Sequence, residues 1–173
     1  MMVSNELQLP VISKGWNIIE KLIAVILTIA SVFVLYNEIS IIAGIVSSGY
    51  TAKDGSTYLQ LLRTHHLPVV ISLIGFFGGS MLFFNDKSGW ILSLIATAMF
   101  GVLFYLSSKT NAANNMLPFA SFYKSYGITS IIWIIFFIML LWKPFRKKYT
   151  PSLKNWLWLA GILALLIIDK IAL

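Results

Sequence analysis

The chain has 173 residues, of which 58% are apolar and 11% charged, with a formal net charge of +7. Soluble domains carry about 25% charged residues, so this composition excludes an ordinary soluble enzyme, and no polar segment is long enough to bury a core of its own. With no cysteine and only two histidines, adjacent in sequence, the chain also lacks the means for disulfides, thiolate metal sites or two haem ligands on facing helices.

Five apolar stretches follow in chain order, and each approaches the roughly 20 residues that cross a bilayer core about 30 Å thick. The sequence therefore predicts an all-α integral membrane protein, a polytopic bundle of five transmembrane helices in a single membrane domain. A polar lead with Lys14, Lys21 and Trp16 enters the first span, about residues 18–46, which reads as an uncleaved signal anchor. Asn37 and Glu38 mark its far end, and the helix is expected to continue towards Val46. An outer loop over 47–66 carries Arg63, His65 and His66. Span 2, about 67–84, opens at Pro68, where a missing N–H costs little in a first turn. The polar run Asn85-Asp86-Lys87-Ser88-Gly89 turns it into span 3, about 89–107, as an antiparallel hairpin. A second outer loop over 108–126 holds Asn111, Asn114, Asn115 and Pro118. Span 4, about 127–143, leads into a basic connector over 143–155, and span 5 takes up 155–173. Were span 5 only interfacial, the count would be four.

Orientation follows from the lysines and arginines. Lys14, Lys21, Lys87, Lys143, Arg146, Lys147, Lys148 and Lys154 fall on one side of the predicted topology, against Lys53, Arg63, Lys109 and Lys124 on the other. Cytoplasmic loops carry the excess of positive charge, so the N-terminus is expected inside a bacterial inner membrane and the C-terminus outside.

Depth and chemistry mark the candidate functional residues. Ser72, Gly75 and Gly79 form a small-residue ridge on span 2, matched by Ser93, Thr97 and Gly101 on span 3; such rows let helix backbones approach closely. The simplest partner for each row is the other arm of the hairpin. Arg63, His65 and His66 form the one cluster able to bind an anionic group or relay a proton at the outer interface, although solvation by water and lipid phosphate is the plainer reading. Adjacent histidines without carboxylate or thiolate neighbours make a poor metal site. Glu38 and Asp169 are the acids within apolar stretches and so are functional candidates, but both lie near the outer headgroups and leave the midplane uncharged. Lys143, Arg146, Lys147, Lys148 and Lys154 are expected to contact anionic lipid. The tryptophans, including Trp90 and Trp142, are read as an interfacial belt.

No phosphate loop, zinc motif or nucleophile elbow is present. The expected function is that of a small non-enzymatic membrane protein without a cofactor, an accessory subunit, regulator or protective factor of a larger membrane system. Its partners would be lipids and either another protein or further copies of itself, with no role for nucleic acid. An oligomeric channel or transporter is one alternative. A lipid-active enzyme built on the outer histidine and arginine cluster is another.

Overall fold

The computed structural model describes the backbone of residues 13–47, 56–113 and 120–172, and the side chains of residues 13–47, 65–107 and 127–169. Within these residues the chain is all-helical. The helices are α1 (Lys14–Ser47), α2 (Ser56–Phe83), α3 (Lys87–Ala113), α4 (Ala120–Leu141), α5 (Lys143–Tyr149) and α6 (Leu153–Ala172). They pack as a bundle in which α1 lies against α2, α2 against α3 and α3 against α4, while α6 returns to α3. Lys14–Ser47, His65–Phe83 and Lys87–Ser107 are long and apolar enough to cross a membrane, and a fourth span arises if Gly127–Leu141 and α5 count as one bent pair. The expected five are not reached on this criterion. In α6 the uncharged stretch between Lys154 and Asp169 spans about 21 Å at 1.5 Å per residue, shorter than the roughly 30 Å hydrocarbon core.

Several boundaries differ from expectation. α1 runs as one 34-residue helix straight through Asn37 and Glu38. α2 begins at Ser56, so Pro68 lies inside it and the second half of the expected outer loop is helical. Likewise α3 continues to Ala113 and α4 starts at Ala120. Hydropathy marks where a helix meets lipid, whereas backbone hydrogen bonding carries the helix on through polar residues such as Thr64 and Lys109.

The α2–α3 turn is tighter than the polar run suggested. Asn85 adopts a left-handed conformation at φ 63°, and the Asn85 and Asp86 N–H groups donate back to the Leu82 and Met81 carbonyls at 3.0 and 2.9 Å. This satisfies carbonyls that the ending helix would otherwise leave unpaired. Asp86 then caps α3 by accepting the Ser88 N–H at 2.6 Å.

At the other break, Trp142 is extended and α5 turns 55° away from α4. The cause is Pro144. It has no N–H for the Leu140 carbonyl, and its ring would clash with that carbonyl in a continuous helix. The Trp90 indole N–H, on α3, donates to the Leu140 carbonyl instead, at 3.0 Å.

Small residues set the spacing of α1, α2 and α3, but along different faces from those expected. A side chain at Gly79 would meet the Ala24 carbonyl of α1 at 2.8 Å, and one at Gly75 would meet Ser31 of α1 as well as Ala96 and Phe100 of α3. Gly78 makes the closest approach to α3, where a Cβ would stand 2.8 Å from the Ser93 nitrogen. α2 sits between two neighbours, so its glycines serve both. Gly101 faces α4, where the Ser130 hydroxyl donates to its carbonyl at 2.7 Å. Ser72, Ser93 and Thr97 are all buried; Thr97 donates to the Ser93 carbonyl at 2.7 Å.

Candidate functional site

Two polar clusters stand at opposite ends of the bundle, and both join helices remote in sequence. The first lies at the end that carries the α2–α3 turn. Glu20, on α1, is fully buried, and both its carboxylate oxygens are engaged: Lys148 Nζ donates to Oε2 at 2.5 Å and the Tyr149 hydroxyl donates to Oε1. Lys148 also donates to Asn85 Oδ1 at 2.7 Å, and the more distant Lys21 Nζ reaches the same oxygen at 3.3 Å.

The aromatic surroundings hold α5 in place for this contact. Tyr149 stacks on Trp90 with ring centroids 5.7 Å apart, and Phe145, fully buried, meets the edge of Trp16 at 5.7 Å. Arg146 lies over Trp156, and Lys87 donates to the Thr150 carbonyl at 3.0 Å. α5 leaves α4 at 55° and sets its aromatic residues against Trp16 of α1 and Trp90 of α3. Burial, aided by the hydrogen bond to Glu20 and its charge, holds the Tyr149 phenol above its ordinary range, so Tyr149 stays protonated and acts as a donor.

Sequence reasoning singled out neither Glu20 nor Tyr149, and Lys148 is not among the lipid-facing cations. Lys143, Arg146, Lys147 and Lys154 are exposed, whereas Lys148 is 5% exposed. Its charge is turned inward because Glu20 offers a buried carboxylate that water cannot reach. One signal was available: Glu20 is one of three acids, with Glu6 and Asp86, on the side of the predicted topology that carries eight lysines and arginines. Trp90 also departs from the expected belt, being 1% exposed, while Trp142 lies exposed.

The second cluster lies at the opposite end. His65 Nδ1 is 2.5 Å from Glu38 Oε2 on α1, and His66 Nε2 is 2.7 Å from Asp169 Oδ2 on α6. Successive helical residues point about 100° apart, so neighbouring histidines on α2 reach partners on two different helices. The histidines and acids are far apart in the sequence; the fold brings them together as two half-buried imidazole–carboxylate pairs. A histidine held at one ring nitrogen by a carboxylate has a fixed ring orientation. The side chain of Arg63 lies outside the described residues. No group of three or more potential metal ligands occurs among the described residues.

Comparison with protein families, characterised proteins and solved structures returned no match.

Proposed function

We propose that this chain is a small integral membrane protein of a bacterial inner membrane, without enzymatic activity of its own, that acts as an accessory subunit, regulator or protective factor of a larger membrane system. The observation that carries the reading is how its charge is used. Glu20 with Lys148, Glu38 with His65, and Asp169 with His66 each join two helices, so the polar side chains act as internal ties. Ile128, Ile131, Ile135 and Ile138 meanwhile form an exposed stripe along α4. A tied frame with an outward apolar stripe is suited to packing against another membrane helix.

The five-span arrangement has support of its own. Lys87 bonds Thr150 just before α6, and His66 pairs with Asp169 near its end, so α6 reaches from one end of the bundle to the other. The pairing also gives the Asp169 carboxylate a partner on a second helix.

The test is site-specific photo-crosslinking in native membranes from Ile131 and Ile135. One discrete protein adduct shared by both positions, and reduced when the neighbouring Ile138 is changed to Ser, is expected. Lipid adducts alone at both positions would contradict a protein partner.

A second reading, a lipid-active enzyme, is favoured by the two imidazole–carboxylate pairs, since this is how hydrolases orient a general base. A His65→Gln/His66→Gln variant that inserts normally and keeps full cellular function would dispose of it.

A further inference from the structure

A groove of about 300 Å³ opens between α1 and α2 near the end that carries the α2–α3 turn. It is lined by Ala24, Val25, Thr28 and Ile29 of α1 and, facing them, by Ser80, Phe83 and the following Phe84. The Thr28 hydroxyl is turned to its own helix, donating to the Ala24 carbonyl at 2.9 Å, which leaves its methyl group for the groove. The lining is therefore suited to hydrocarbon.

The groove has a charged mouth. Lys21 lies one helical turn before Ala24 and Val25, and its Nζ stands 4.8 Å from the centroid of the Phe83 ring that lines the groove. Lys21 belongs to none of the ion pairs among the described residues. Its bond to Asn85 is long at 3.3 Å and shares an oxygen already held by Lys148 at 2.7 Å. An ammonium group with unused donors therefore tops an apolar slot, and Lys14 on the same helix adds positive charge further out.

From this juxtaposition we propose that the groove between α1 and α2 binds one anionic phospholipid, its acyl chain lying between Val25, Ile29 and Phe83 and its phosphate accepting from Lys21. The charge selects an anionic headgroup, while the groove requires that the anion carry a chain. The inference rests on the membrane placement proposed above but not on the protein partner, so either can fail without the other.

The experiment is native mass spectrometry of the detergent-solubilised full chain after incubation with vesicles of phosphatidylglycerol, phosphatidylethanolamine or phosphatidylcholine. One phosphatidylglycerol is expected to be retained in preference to the other two. Lys21→Gln should weaken that retention about fivefold, the effect of roughly 1 kcal/mol per basic residue near an anionic surface. Ser80→Phe, which fills the groove without altering charge, should abolish it, and Lys14→Gln should leave it nearly unchanged. Circular dichroism and thermal unfolding identify variants that fold as the parent does; should Ser80→Phe misfold, Val25→Trp blocks the same groove from α1. Equal retention of phosphatidylcholine, or folded groove-filling variants that bind as well as the parent, would overturn the proposal. So would inorganic phosphate that displaces the lipid signal while binding equally to parent and groove-filled variants, since the site would then be for a free anion. A dimer lost in Ser80→Phe, without any lipid preference, would also overturn it by assigning the groove to a second copy.

Discussion

At the residue scale, the most consequential side chain is Glu20. A buried carboxylate is tolerable only when its charge is compensated and its lone pairs are satisfied, and here Lys148 and Tyr149 supply both. Removing one partner strands the other. Glu20→Gln and Lys148→Met should each destabilise the protein by about 3–5 kcal/mol, the usual cost of breaking a buried pair from one side. The double variant should cost clearly less than the sum of the two, because no uncompensated charge is left. Thermal unfolding of all four proteins in the same detergent measures this, and additive losses would show that the two groups do not act as a pair. This tie was poorly legible in the sequence. Glu20 sits beside Lys21 at the start of an apolar run, where local reading assigns both to the headgroup zone, and nothing local places Lys148, 128 positions away, against it. His65 and His66 were legible as chemistry, but their partners were not, since Glu38 and Asp169 come from α1 and α6.

At the scale of the element, the α2–α3 hairpin was readable from its polar turn, and the small residues were readable as contact positions. Which helix each glycine faces was not, because a period of 3.6 residues defines faces and not neighbours. Gly78 tests that packing from the α2 side. A Cβ there would stand 2.8 Å from the backbone of Ser93 and 2.9 Å from that of Leu92, and backbone cannot step aside as a flexible side chain can. Gly78→Leu should therefore push the hairpin apart and cost at least about 1–3 kcal/mol, the usual range for overpacking. Gly161→Ala, on α6 with nothing within 4 Å of its Cβ, should be neutral or slightly stabilising. Comparing the two melting temperatures checks the assignment, and equal effects would contradict it. The α4–α5 break was half legible: Pro144 signals the interruption, but the use of the freed Leu140 carbonyl by Trp90 depends on α3 packing beside it.

At the scale of the whole molecule, we propose a helical bundle that lies in the membrane, is tied by charge at both ends, and turns its basic end towards the cytoplasm. Composition made the helical class plain, whereas the number of crossings depends on whether α4 and α5 form one bent span and on α6, whose uncharged stretch is short and which is held by Asp169 near its end and by Thr150 just before its start. The absence of cysteine makes the natural sequence its own background for single-cysteine labelling. Cysteines placed at Asn115, Lys147 and Leu173 can each be treated on intact cells with a membrane-impermeant maleimide, and again after lysis. Labelling of positions 115 and 173 in intact cells is expected, with position 147 labelled only after lysis. Protection of position 173 together with 147 would contradict the proposal by placing both ends of α6 on the same side.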